Sequence, residues 1–143
     1  ESWDCSNIEF SGIGFGSADY CASTGGDMGK ASLAYGRGKI INAAALYNTL
    51  ALDGVWLDFR DPDGCREETL YVKTMGFKGR FAIHPDQIKP IHDAYRPTNE
   101  ELEWAKGVLE EAKTAGSGAF KYQGKMVDAP VLAVARLIIS RED

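Results

Sequence analysis

The chain has 143 residues, 44% of them hydrophobic and 26% charged, which suits one ordinary globular domain. Its net charge of −5 argues against nucleic-acid binding, which needs a basic face, and no apolar run approaches the ~18 residues of a membrane span. Cys5, Cys21 and Cys65 lack metal-ligand spacing and read as free thiols of a reducing compartment. The first residue is Glu rather than Met, so a further segment upstream is expected.

Taken in order, Ile8–Gly16 mixes alternation with glycine and predicts a strand, best between Gly12 and Gly16. Residues 17–28 read as a Gly-rich polar loop. A helix is predicted over residues 31–51, because Ile40, Ala44, Tyr47 and Ala51 fall on one face. Next come an expected strand at 55–59, a helix at 65–75 closed by Gly76, a strand at 80–83 and a short helix at 86–95. Strands alternating with helices over short links predict a parallel sheet or barrel.

At Pro97 the grammar changes. Thr98 followed three residues later by Glu101 is a capping box, and it opens a helix predicted to reach residue 115. Residues 119–127 read as a hairpin turning at Gln123–Gly124, and Asp128 with Pro130 opens a last helix over 131–140. The division expected is 1–96 for the βα repeat and 97–143 for a helix–hairpin–helix appendage.

In parallel α/β proteins, ligands sit beyond the carboxyl ends of the strands. Asp19 lies just past the first strand and suits a hard cation such as Mg²⁺; it also suits a local turn. Asp58, Arg60 and Asp61 crowd the second strand end, as a pocket or as an internal ion-pair network. His84 precedes Pro85, which extends the backbone before it. Arg37 and Lys39 would meet phosphates or form a solvated face. Asp128 reads locally as a helix cap.

Seven segments together resemble the citrate lyase β-subunit-like family of the HpcH/HpaI aldolase superfamily. They are FGSADY (Phe15–Tyr20), YGRGKII (Tyr35–Ile41), LDGVWLDFRDPDG (Leu52–Gly64), GFKGRFAIHPDQI (Gly76–Ile88), RPTNE (Arg96–Glu100), the pair Trp104–Ala105, and GKMVDAP (Gly124–Pro130). The resemblance implies a Mg²⁺-dependent acyl-CoA lyase of the malyl-CoA or citramalyl-CoA type on a TIM barrel. Such an enzyme joins or cleaves a CoA thioester, such as acetyl-CoA, and a small 2-oxo acid.

The resemblance further implies Asp19 as a magnesium ligand, Asp128 as the catalytic acid/base, and Ile83, His84 and Pro85 along the path of the CoA arm; Arg37, from its place near the helix start, is an expected cofactor contact. Glu1 matches the family's second metal ligand, although only 18 positions separate it from Asp19. The appendage would be a lid over a neighbouring subunit, often within a trimer. A location in the cytoplasm follows, or in the mitochondrial matrix of a eukaryote.

A barrel needs roughly 250 residues, so the expectation is the last three βα units of one, plus the lid; the family's catalytic arginine lies upstream of the match. Thioester hydrolysis within the same family, and a non-catalytic truncated or assembly subunit, are the alternatives.

Overall fold

The computed structural model describes residues 10–116 and 118–142. Two compact units divide the chain, Glu1–Tyr95 and Arg96–Asp143. In the first, β1 (Gly12–Gly14), β2 (Leu50–Asp53) and β3 (Gly79–Arg80) lie side by side in that order, all parallel. Gly12 stands opposite Leu50, and Asp53 opposite Arg80. Parallel neighbours need a long crossover. Here α1 (Ser17–Thr24) and α2 (Lys30–Leu46) connect β1 to β2, and α3 (Pro62–Met75) connects β2 to β3. A 3₁₀ turn at Pro85–Gln87 then leads into α4 (Ile88–Tyr95).

The second strand lies earlier than its expected place. Asn48 adopts a left-handed φ of 49°, which ends the helix that side-chain periodicity carried to Ala51. Leu50–Asp53 then pairs on both sides, and Ala51 is buried as a strand residue. The expected strand at 55–59 is a loop. The third strand is likewise earlier: past Phe81, whose amide still donates to the Asp53 carbonyl, the Ile83 amide turns to Gln87 Oε1 at 2.9 Å. The expected loop at 17–28 contains α1, bounded by Gly16 and by Gly25 at φ 73°. Its buried side chains are Ser17 and Cys21, one turn apart, so no apolar stripe announced it.

Helix α3 has clear local causes. The Asp61 carboxylate accepts from the Gly64 amide at 2.9 Å, Pro62 occupies the first helical position, and Gly76 closes the end at φ 117°. Cys65, Glu68, Thr69 and Val72 face inward at helical spacing. The core joins Phe15, Leu33, Ala44, Ala51, Val72 and Phe77. Each fully buried Leu, Val or Phe side chain contributes roughly 1.5–3 kcal/mol.

In the second unit the Thr98 hydroxyl accepts from the Glu101 amide, and Glu101 returns a carboxylate to the Thr98 amide at 2.8 Å. That box starts α5 (Asn99–Thr114). The antiparallel strands β4 (Phe120–Tyr122) and β5 (Lys125–Val127) turn through Gln123 at φ 48° and Gly124 at φ 78°, the two left-handed residues of a type I′ hairpin. Helix α6 (Ala129–Ile139) follows, and Ala105, Val108, Val127 and Ala135 form this unit's core. Gly107 leaves room there for the end of the Tyr122 ring, which would have to move for any Cβ.

Candidate functional site

The strand ends of the first unit open on a cavity of about 420 Å³. Gly14, Gly16, Ser17, Asp19, Gly54 and Phe81 are among its lining residues. Gly14 is small for a reason: a Cβ there would come within 2.6 Å of the Phe81 ring, so the glycine lets that ring lie across β1. Asp19 stands in the first turn of α1 with an exposed side chain, at the end where the helix dipole is positive. A carboxylate on this rim can hold a cation while leaving its other positions to water and substrate. Among the described residues no three His, Cys, Asp or Glu side chains gather as a metal cluster. Glu1 lies outside the described residues.

Behind the cavity runs a buried ion network that the sequence did not announce. Asp53, at the end of β2, is fully buried. Arg37 reaches it from α2 with Nε and Nη2, both at 3.1 Å, and Arg80 from β3 with Nη2 at 2.6 Å. Arg37 also meets Glu68 at 2.8 Å, and Lys30 meets Glu68 at 3.6 Å. Burial acts to lower the Arg37 pKa, but hydrogen bonds and charge attraction to Asp53 and then Glu68 outweigh it and raise the pKa. Arg80 continues to the Gly54 carbonyl at 2.9 Å and the Thr69 hydroxyl at 3.2 Å. A wall residue of the cavity is thereby tied to the network.

Two expectations are corrected by this network. Arg37 is not on a solvated face: it is 2% exposed, paired with two carboxylates through Nε and Nη2, and its Nη1 is left without a partner beside a cavity of about 280 Å³. Nor do Asp58, Arg60 and Asp61 form the internal network. Asp58 accepts from the Arg60 amide and Asp61 caps α3, while no ion pair joins the three among the described residues. Asp53 carries that role instead. Its signal was slight: an acid directly preceding glycine at the end of a short apolar run.

The remaining residues are placed as follows. Ile83 is 54% exposed. The Nδ1 of His84 accepts from the Asp86 amide at 3.2 Å, which puts the proton of a neutral ring on Nε2. Its ring stacks on Phe59 at 4.7 Å, and Arg60 lies over the Phe59 ring at 5.3 Å. Pro85 opens the 3₁₀ turn. In the second unit Asp128 is half-buried and caps α6, accepting from the Val131 amide at 3.3 Å. No helix among the described residues is long and apolar enough to cross a membrane.

A parallel sheet wound with helices, with a cavity at its strand ends, defines an α/β fold, and comparison with known proteins gives the family. The family model for C-C_Bond_Lyase of the TIM-Barrel fold matches residues 38–142, and the chain belongs to this family. It is 37% identical over 131 residues to the mitochondrial citramalyl-CoA lyase of Rattus norvegicus, covering 88% of this chain and 39% of that protein. It is 39% identical over 137 residues to a citrate lyase subunit beta-like protein of Mycobacterium tuberculosis, covering 91% of this chain and 50% of that one.

Among solved structures, it resembles protein CitE from Mycobacterium tuberculosis in complex with magnesium, acetoacetate and coenzyme A. The TM-score is 0.75 at 36% identity, over 92% of this chain and 52% of that one. The chain thus spans half or less of the length of these two curated relatives.

Proposed function

We propose that this chain is the C-terminal portion of a Mg²⁺-dependent acyl-CoA lyase, supplying the last three βα units of a barrel and its lid. The reaction cleaves or forms a carbon–carbon bond between a CoA thioester and a small 2-oxo acid, of the malyl-CoA or citramalyl-CoA type. The observation that carries the reading is Asp19, a carboxylate on the rim of the strand-end cavity. Relatives named for citramalyl-CoA lyase, and a related structure holding magnesium, acetoacetate and coenzyme A, support the choice of chemistry.

In this reading Asp19 holds the cation. Magnesium, when bound, supplies a Lewis acid for the oxygens of the oxo acid. The glycines at 14, 16 and 54 leave backbone close to the cavity, and the Phe81 ring forms part of its wall. During cleavage the Asp128 carboxylate would take the proton of the substrate hydroxyl, and the carbon–carbon bond breaks. Its electron pair passes to the thioester side as an enolate, whose carbon takes a proton from Asp128. In the reverse direction Asp128 removes a proton from the methyl group of acetyl-CoA. Ile83, His84 and Pro85 would flank the CoA arm, and a homo-oligomer would bring lids to neighbouring barrels.

The test is turnover of citramalyl-CoA and malyl-CoA by the intact polypeptide, followed by release of the 2-oxo acid. Chelation of Mg²⁺ and the substitution Asp128→Asn are each expected to abolish it. Turnover persisting in Asp128→Asn overturns the acid/base assignment, and release of free CoA with an intact hydroxy acid identifies hydrolysis instead.

A further inference from the structure

Arg37 and Trp56 share the wall of a second cavity, of about 280 Å³, lined from α2, α3, β3 and the loop after β2. Of its wall residues only Val55 also lines the strand-end cavity. Arg37 and Trp56 each bring a buried donor without a partner, Nη1 and Nε1 respectively. The rest of the Arg37 fork is engaged: Nε and Nη2 meet Asp53, and Nη2 also meets Glu68. The acidic wall residues are engaged elsewhere, Glu68 with Arg37 Nη2 and Lys30, and Asp58 with the Arg60 amide. Buried polar groups are as a rule satisfied, so two orphan donors on one wall point to an acceptor from outside the fold. The buried Ser17 hydroxyl is another orphan, but it packs against Gly54 and is not on this wall.

The remaining wall defines what fits. Leu33, Val55 and the Trp56 ring are apolar, and Met28 and Leu57, 36% and 54% exposed, leave a way in from solvent. The volume is roughly twice the ~150 Å³ of an apolar cavity that holds benzene, so one ring with a short polar group fits. Ordered water satisfies such donors where it finds about 2–4 polar partners, and much of this wall is apolar. The charges on the wall cancel, Arg37 and Arg80 against Asp58 and Glu68. Asp53 and Lys30, which complete the ion network, cancel likewise. An anion would add an uncompensated charge to this balanced set, and its desolvation would find no counter-ion. A neutral carbonyl oxygen offers its lone pairs to the donors without that cost.

We propose that this cavity is a binding site for a small uncharged molecule with an apolar, ring-sized body and a carbonyl oxygen. That oxygen is the acceptor for the Arg37 and Trp56 donors. The site stands apart from the lyase reading and does not depend on it.

The experiment titrates the intact polypeptide with acetophenone, with benzoate, and with α-methylstyrene, which has the shape of acetophenone without its oxygen. The readout is the NMR signal of the Trp56 indole N–H, assigned through its own backbone amide, together with the affinity of each probe. Acetophenone is expected to bind saturably and move that signal downfield, and benzoate to bind more weakly. Trp56→Phe removes the donor and is expected to weaken acetophenone about fivefold, as loss of one neutral hydrogen bond does. The same substitution should leave α-methylstyrene affinity unchanged, which separates the hydrogen bond from lost ring area. An equal loss for both probes overturns the assigned contact, and benzoate binding more tightly than acetophenone overturns the uncharged class. Absence of saturable acetophenone binding, as when water or another segment of the polypeptide fills the cavity, overturns the site. Saturable binding that leaves the Trp56 signal unmoved does the same, and both outcomes are read on wild type alone.

Discussion

Arg80 Nη2 stands 2.6 Å from Asp53 Oδ2 across the last paired register of the sheet, and the same guanidinium holds the Gly54 carbonyl. The wall of the candidate site is therefore an extension of a buried ion pair. Removing one partner of such a pair leaves an uncompensated charge out of water, at about 3–5 kcal/mol. Asp53→Asn, facing two arginines, is expected to lower unfolding free energy by about that amount in urea titration. A loss below about 1 kcal/mol would mean that solvent reaches the arginines.

The close approach of Gly54 to Ser17 makes a coupled prediction. A Cβ at position 54 would come within 2.8 Å of Ser17 Cβ and 2.9 Å of the Phe15 carbonyl oxygen. Gly54→Ala should destabilise by about 1–3 kcal/mol through overpacking. Ser17→Gly should restore part of that loss but not all of it, since the Phe15 carbonyl remains. Strict additivity of the two substitutions in a double-mutant cycle would show that they do not touch.

Cys65 gives a pH dependence of known sign. Burial, against the pull of Arg80, raises its thiol pKa above the ordinary value of 9.0. The unfolded thiol thus ionises first, and the folded state binds more protons above that value. Stability from this group is complete below pH about 9 and falls as pH climbs through the folded pKa. Urea titrations from pH 8 to 10.5 should show a shallower alkaline decline in Cys65→Ala than in wild type. Parallel curves would assign the decline to other groups.

Asp128 offers a way to separate capping from chemistry. Its carboxylate caps α6 through the Val131 amide. Asparagine caps about as well as aspartate, whereas alanine loses roughly 1 kcal/mol. Asp128→Asn should therefore melt like wild type while failing in turnover, and Asp128→Ala should fail in both. A clear drop in the midpoint of the asparagine variant would make its inactivity uninformative about proton transfer.

Much of the fold could be read from local signals. Asp61–Pro62 and Gly76 bracket α3, Thr98 and Glu101 start α5, and Gln123–Gly124 turn the hairpin, each through contacts within a few residues. The second strand was misplaced because helical spacing runs on through Tyr47 and Ala51, while the break rests on one left-handed Asn48. Val55–Phe59 looked more strand-like than Leu50–Asp53, yet pairing on both sides fixed the latter. The ion network was illegible for a different reason. Arg37, Asp53 and Arg80 lie 16 and 27 residues apart, and only parallel packing brings them together. Asp19 stood out by position alone, whereas the orphan hydroxyl of Ser17 is visible only with Gly54 folded against it.

In the three-stranded sheet, spatial order equals chain order. Among the described residues, β2 and β3 each dock beside the strand made just before them. Gly79 follows its partner Leu52 by 27 residues. At ribosomal speeds of ~5–20 residues per second, that delay is about 1–5 s. Among these three strands, the Arg80–Asp53 clasp is therefore the last of the contacts to close as the polypeptide emerges.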